Sequence, residues 1–137
     1  MHPPTSGPAQ LVPAESPRAL ERAAAALLAG EVIAFPTDTV YGVGAHALLP
    51  EAVAQLYAIK ERPLSLAIPL LLPDGDAVRT VCDPVPSIVW QLAARFWPGA
   101  LSLVLPRAST VPDIVTAGGP TVAVRVPDHD LVRALSR

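Results

Sequence analysis

The residues that could carry chemistry in this chain begin with a pair of cations. Lys60 and Arg62 lie two residues apart where a predicted helix ends, and Lys60 is the only lysine in the sequence. A guanidinium fork and a compact ammonium can converge on a polyphosphate, which predicts an anion-binding pair. Two cations at a helix C-terminus also complement the negative end of the helix dipole, so a purely structural role stays open.

A second candidate is the loop of residues 36–44, which directly follows a short apolar run. It offers the hydroxyls of Thr37 and Thr39, the carboxylate of Asp38 and two glycines. Such groups beyond the end of a strand are typical of ligand-binding loops in open α/β sheets. The alternative is a turn whose threonine and aspartate side chains only satisfy the loop's own backbone.

The third candidate is a strand-like segment, residues 121–127. In an extended chain Thr121, Ala123 and Arg125 share one face, and alternating valines share the other. An arginine beside a threonine and an alanine fits poorly in an apolar core, so the pattern predicts a polar cavity with an anionic partner. An edge strand that holds Arg125 in solvent is the alternative.

The sequence lacks the other common catalytic signatures. It has no glycine-rich phosphate loop ending in lysine, no dinucleotide-binding glycine motif, no nucleophile elbow and no closely spaced histidine pair. His46 and His129 are isolated, so we expect no metal site. Cys82, the only cysteine, cannot form an internal disulfide, and a buried structural thiol is the favoured interpretation.

Composition limits the class of protein. The chain has 137 residues, of which 51% are hydrophobic and 16% charged, which predicts one folded domain. The formal net charge is -2, which disfavours a surface that grips nucleic acid nonspecifically. The apolar runs are far shorter than the roughly 18 residues of a membrane-spanning helix, and no secretory signal is visible. We therefore expect a cytoplasmic domain with no membrane association.

The elements that must position the candidate residues alternate along the chain. Proline-rich residues 1–15 are predicted to form a disordered tail. Predicted helices cover residues 17–29, 50–60 and 87–97, and predicted strands cover residues 32–35, 68–72, 101–105 and 121–126. Four-residue spacing predicts that Ile88, Leu92 and Phe96 form the core face of the third helix. This order indicates an α/β fold with a mixed, largely buried sheet.

Four stretches together resemble the YrdC/Sua5 family of threonylcarbamoyl-AMP synthases. They are GEVIAFPTDTVYGVGA (residues 30–45), AIKERP (58–63), FWPGALSLVLP (96–106) and VTAGGPTVAVRVPDH (115–129). They occur in family order and spacing. The resemblance implies a YrdC-like twisted mixed sheet flanked by helices, in a single domain over residues 16–137.

The resemblance also implies a reaction. Family members condense L-threonine, bicarbonate and ATP into threonylcarbamoyl-adenylate and pyrophosphate, and transferase proteins use the adenylate for the t6A modification of tRNA. By resemblance, Thr39 and Arg125 bind threonine. Lys60 and Arg62 form the catalytic pair that holds the ATP phosphates, with Mg²⁺, and Thr121 contacts the nucleotide. The nucleophile is the substrate's carbamate oxygen, so no activated serine or cysteine is required, only positioning and positive charge.

The sequence departs from the family pattern in several places. Glu61 stands where the family usually has glycine, and Leu66 and Leu71 stand where it often has asparagine and histidine. The family domain continues to a Ser-x-Asn motif that helps to bind nucleotide. This chain ends shortly after a helix predicted to begin at Asp128 or Asp130, so we expect a domain truncated at its C-terminus, with weak or no turnover by itself.

Other functions remain as alternatives. A noncatalytic YrdC-like module could bind tRNA or other double-stranded RNA, although the net charge argues against it. An inactive fragment is a further alternative. Carbamoyl transfer, as in the related domain of hydrogenase-maturation carbamoyltransferases, needs additional domains for which a chain of this length has no room.

Overall fold

The computed structural model describes residues 9–137, so part of the predicted tail, residues 1–8, lies outside the described residues. The helices are α1 (Ala19–Leu28), α2 (Pro50–Ile59), α3 (Val78–Val81), α4 (Ile88–Phe96) and α5 (Asp130–Leu135), and a 3₁₀ turn (Gly75–Ala77) precedes α3. The strands are β1 (Ile33–Phe35), β2 (Gly42–Gly44), β3 (Leu70–Leu71), β4 (Leu103–Pro106) and β5 (Thr121–Arg125). No helix in this part of the chain is long and apolar enough to cross a membrane.

A three-stranded mixed sheet organises the fold, with β5 at its centre. Strand β5 runs parallel to β3 and antiparallel to β4. The predicted α/β fold with a mixed sheet is therefore confirmed. Strand β1 does not join this sheet but pairs with β2 in an antiparallel hairpin, and Ala34 in its middle is exposed. The prediction that this segment is a strand of the buried sheet, covered on both faces, was wrong.

Strand β2 lies within residues 36–44, which the sequence predicted to be a loop. Its Gly-Val-Gly sequence has little strand propensity, so no local pattern marks it. The pairing depends on Phe35 in β1, whose ring lies over the two glycines. A Cβ atom on Gly44 would come within 2.8 Å of that ring. The hairpin is stabilised by the contact between the Phe35 ring and the backbone of the two glycines, which is possible because glycine has no Cβ atom, and not by strand propensity.

The core lies on one side of β5. Val122, Val124 and Val126 are buried, and they pack in one cluster with Val53 and Tyr57 of helix α2. Burying a valine side chain contributes about 1.5–3 kcal/mol. The other face of β5 holds its more exposed residues, as the predicted alternation requires.

Helix α4 turns a different side to the core from the one that its sequence predicted. Ile88 and Phe96 are 53% and 46% exposed, whereas Val89 is buried and Trp90 packs against the core cluster. The prediction for Ile88 and Phe96 was wrong because α4 is apolar on more than one side. Spacing alone cannot choose between two apolar stripes; the position of the sheet does.

Helix α2 ends in a hydrogen-bonded cap that sets the path of the chain between the two candidate cations. Lys60 is the C-cap residue, and the N–H groups of Glu61 and Arg62 donate to the carbonyls of Ala58 and Tyr57, at 3.2 and 2.9 Å. This is the Schellman arrangement, in which the residue after the cap adopts a left-handed conformation. Glu61 has a φ of 51°, which a side chain disfavours and glycine adopts freely.

We expect Glu61→Gly to raise the free energy of unfolding by about 0.5–1 kcal/mol relative to Glu61→Ala. Alanine keeps the steric cost that a Cβ atom has in the left-handed conformation, and glycine removes it. Part of this stabilisation is lost because glycine also increases the conformational entropy of the unfolded chain. Urea unfolding of the two variants measures the difference. Equal stability, or a more stable alanine variant, would contradict the strain assigned to this position.

Candidate functional site

Arg125 is the centre of the candidate site. It projects from the open face of β5, and its side chain is only 13% exposed. Its Nε donates to the carbonyl of Gly99 at 2.8 Å, and its Nη2 donates to the carboxylate of Asp38 in an ion pair. Its Nη1 lies 3.4 Å from Oγ1 of Thr39. The prediction of a partly enclosed arginine is therefore closer to the structure than the alternative of an arginine in solvent.

The loop between β1 and β2 brings Asp38 and Thr39 to Arg125. Within it, Oγ1 of Thr37 accepts a hydrogen bond from the Thr39 N–H at 3.1 Å and donates to the Val40 carbonyl at 2.5 Å. Thr37 thus satisfies the loop backbone, as one interpretation of the sequence proposed. Asp38 and Thr39 instead reach across to Arg125 of β5. The loop divides the two roles between neighbouring residues.

Gly99 holds the opposite side of the Arg125 side chain. Its N–H donates to the Val126 carbonyl at 2.8 Å, which fastens the loop after α4 to the end of β5. A Cβ atom at this position would lie 2.6 Å from the carbonyl oxygen of Phe96, so only glycine fits without a backbone shift. The close approach of the two segments is what places the Gly99 carbonyl on Nε of Arg125.

The Asp38 carboxylate remains charged in this setting. Burial by itself would raise its pKa, since desolvation disfavours the ionised form. Hydrogen bonds from the backbone N–H groups of Asp128 and of Asp38 itself, together with the Arg125 guanidinium, outweigh this effect and hold the pKa of Asp38 below its ordinary value. Arg125 therefore faces a permanent negative charge at neutral pH.

The two cations at the end of α2 have different surroundings. The Arg62 guanidinium donates from Nε to the Leu66 carbonyl at 3.2 Å and from Nη2 to the Ala67 carbonyl at 2.7 Å. Lys60 is exposed, and within residues 9–137 no hydrogen bond or ion pair holds its ammonium. No contact of this kind joins either cation to Arg125 across the same part of the chain. The structure thus presents Lys60 as a free charge and Arg62 as a clamp on its own loop.

Thr121 and Leu71 lie on the open face of the sheet, and Leu66 lies in the loop before β3. Thr121 is exposed at the start of β5 and shares its face with Arg125, four residues later. Leu71 of β3 is paired in register with Arg125. The side chain of Leu66 is exposed, and its carbonyl also accepts from the Tyr57 hydroxyl at 2.9 Å.

A wide cleft of about 710 Å³ lies elsewhere, beside Arg79, Trp90 and Thr110. Two of its polar side chains already have partners, since Thr110 donates to the Thr80 carbonyl at 2.7 Å and Arg79 stacks on Trp90. Cys82 lines the cleft but is 1% exposed, and burial raises the pKa of its thiol. The structure therefore agrees with a structural role for this cysteine.

Sequence reasoning did not assign Asp38 and Gly99 to the site. Asp38 was noticed as part of a polar loop, but its partner lies 87 residues further along the chain. Gly99 acts through its carbonyl, which no side-chain pattern reveals. The one available signal was the combination of a buried-strand arginine, which needs an anion, with a carboxylate in a loop that follows a strand.

These features describe an α/β domain with a partly enclosed arginine on the open face of its sheet. The model of the family described as Sua5_yciO_yrdC, telomere recombination, matches residues 25–137. The chain belongs to this family.

Several known proteins are similar to the chain. A threonylcarbamoyl-AMP synthase of Bacillus subtilis is 44% identical over 119 residues, which are 86% of this chain and 34% of that protein. One of Pyrococcus abyssi is 41% identical over 106 residues, 77% of this chain and 31% of that protein. The crystal structure of P. abyssi Sua5 complexed with L-threonine matches with a TM-score of 0.83 and 39% identity, over 85% of this chain and 34% of that one. The chain thus spans about a third of the length of these relatives.

The Asp38–Arg125 pair makes stability depend on pH. Because the folded-state pKa of Asp38 lies below the ordinary value, its charge stabilises the fold above that value, and this contribution disappears as the pH falls through the folded pKa. We expect the difference in unfolding free energy between the wild type and Asp38→Asn to be constant from about pH 7 to pH 5 and to shrink below about pH 4. Urea unfolding across this range measures it. A difference that grows in acid would contradict the assignment.

Proposed function

We propose that this chain carries a substrate-binding part of a threonylcarbamoyl-AMP synthase. The whole protein would act as a nucleotidyltransferase. Threonine and bicarbonate would form N-carboxythreonine with loss of water, and this carbamate would react with ATP to give threonylcarbamoyl-AMP and pyrophosphate. The observation that supports this most strongly is the enclosed Arg125 beside the Thr39 hydroxyl, in a fold that matches a Sua5 complexed with L-threonine. The relatives' shared name supports the activity. We further propose residues 16–137 as the extent of the YrdC-like domain.

In this proposal Arg125 and Thr39 recognise threonine. A guanidinium with a free N–H group binds a carboxylate through a charge-assisted hydrogen bond. Among residues 9–137 the Nη1 nitrogen of Arg125 has only the 3.4 Å contact to Thr39, so it has capacity for a ligand. An amino acid carboxylate would bring the negative charge that a cationic, partly desolvated side chain favours.

The remaining chemistry would take place at the α-phosphorus of ATP. The carbamate oxygen of N-carboxythreonine would attack the α-phosphorus of ATP, forming one P–O bond while the bond to the β-phosphate oxygen breaks and pyrophosphate leaves. Lys60, for which the described residues provide no partner, would approach the phosphates as a charge. Arg62 would add its Nη1, which has no hydrogen bond within residues 9–137, while Nε and Nη2 hold the loop. Thr121, on the same open face as Arg125, would contact the nucleotide. Positive charge that is already in position stabilises the departing pyrophosphate.

Mg²⁺ enters this proposal only with ATP. Within residues 9–137 no three His, Cys, Asp or Glu side chains lie close enough together to hold a metal ion, so the donor set does not fit a resident metal. Further partners in the proposal are tRNA and the transferase proteins that use the adenylate for t6A modification, in the cytoplasm.

The direct test incubates the chain with ATP, labelled bicarbonate and L-threonine. We expect mass spectrometry to detect labelled threonylcarbamoyl-AMP at a low rate, and only when all three substrates are present. Calorimetric titration of the same chain with L-threonine, and separately with ATP, measures binding without turnover. A chain that makes no adenylate and binds neither ligand would contradict the proposal.

We expect Lys60→Ala to weaken ATP binding about tenfold or more, as is typical when a hydrogen bond to a charged group is lost. Threonine binding should be unchanged. The free energy of unfolding should move by less than about 0.5 kcal/mol, because Lys60 is exposed and unpaired within the described chain. Arg18→Ala, which removes an exposed charge from the start of α1, is the matched control. Equal losses of ATP affinity in both variants would assign the effect to net charge alone.

A further inference from the structure

The five N–H groups of the Arg125 guanidinium are used unequally. The Nε–Nη2 edge, which could bind a carboxylate through two parallel hydrogen bonds, is occupied by the Gly99 carbonyl and the Asp38 carboxylate. Within residues 9–137 the only contact of Nη1 is the one of 3.4 Å to the Thr39 hydroxyl, beyond the usual range for an N–H···O hydrogen bond. The guanidinium thus has one closed edge, and Nη1 is its least engaged nitrogen.

The Asp38 carboxylate is held too firmly for a ligand carboxylate to displace it from Arg125. The Asp38 side chain is 17% exposed, and its carboxylate is ion-paired with Nη2 of Arg125, whose own side chain is 13% exposed. Displacing Asp38 would leave a partly buried carboxylate without its partner, which costs free energy. The Asp38 carboxylate therefore behaves as a fixed part of the site.

We propose that Asp38 is a positioning residue that, with the Gly99 carbonyl, closes the Nε–Nη2 edge of Arg125 and directs a ligand carboxylate onto Nη1 and the Thr39 hydroxyl. The identity of that ligand as L-threonine rests on the function proposed above. The Thr39 hydroxyl lies 3.1 Å from Oγ1 of Thr37. On binding, its hydrogen turns from Thr37 to the ligand. The carboxylate is then received by Nη1 and one hydroxyl rather than by the Nε–Nη2 fork.

A competing role for Asp38 predicts the opposite effect on affinity. If its carboxylate competed with the ligand for Arg125, removing its charge would free the fork and tighten binding. If Asp38 positions Arg125, removing the charge releases the closed edge, the guanidinium rotates, and Nη1 is no longer presented to Thr39. The direction of the change therefore separates the two roles.

The experiment measures L-threonine affinity of the 137-residue chain by calorimetry. We expect Asp38→Asn to weaken binding about tenfold, as for one charge-assisted hydrogen bond, and Asp38→Glu to recover part of the loss because it restores the charge. Asp83→Asn, at an exposed aspartate away from the site, is the matched control and should bind as the wild type does. L-threoninamide, which lacks the carboxylate, should show no difference between wild type and Asp38→Asn. Tighter or unchanged threonine binding in Asp38→Asn, or an equal loss for threoninamide, would overturn the proposal.

A second measurement does not depend on the identity of the ligand. Nuclear magnetic resonance follows the Arg125 side-chain nitrogens during titration with acetate, a bare carboxylate. We expect the Nη1 signal of the wild type to shift while Nε, bonded to Gly99, stays in place, and we expect this selectivity to disappear in Asp38→Asn. Selective shifts with acetate but no binding of L-threonine would contradict the proposed function and leave the positioning role intact. Equal shifts of Nε and Nη1 in the wild type, or no shift of either, would overturn the positioning role.

Discussion

The hydrogen bonds around the Arg125 guanidinium are the interaction on which the site depends. They join three segments that are far apart in sequence: β5, the loop after β1 and the loop after α4. A charged group that is largely removed from water needs partners on several sides. Because no single segment supplies them all, the arginine can be accommodated only when the three segments have come together. The site is therefore a product of the completed fold.

Strand β5 can carry a charged side chain without disturbing the core because its two faces differ in role. Val122 and Val124 bury apolar surface against the helices, while Arg125 and Thr121 stand on the open face. The period of two in a strand is what separates the two roles. A shift of one residue in the pairing with β4 would send Arg125 into the core, so the same valines that stabilise the sheet also fix the register of the site.

The end of α2 shows a different relation between structure and chemistry. The cap there holds Glu61 in a left-handed conformation, and the turn carries Lys60 into solvent and Arg62 onto its own loop. Two cations that look equivalent in sequence thus become unlike. One is free to meet an anion, and the other has most of its donors committed to backbone carbonyls. In the proposed synthase, this would give Lys60 the more direct part in holding phosphate.

The sequence by itself determined the α/β class and the alternation along β5, and it marked three candidate segments, because these follow from local periodicity and residue type. Only the tertiary structure decided that β1 leaves the main sheet for a hairpin with β2, and that α4 buries Val89 rather than Ile88. It also decided which carboxylate and which carbonyl meet Arg125. Each of these outcomes depends on packing between segments, which no local pattern encodes. The ring of Phe35 covers two glycines of β2, the sheet selects one of two apolar sides of α4, and Asp38 meets an arginine 87 positions away.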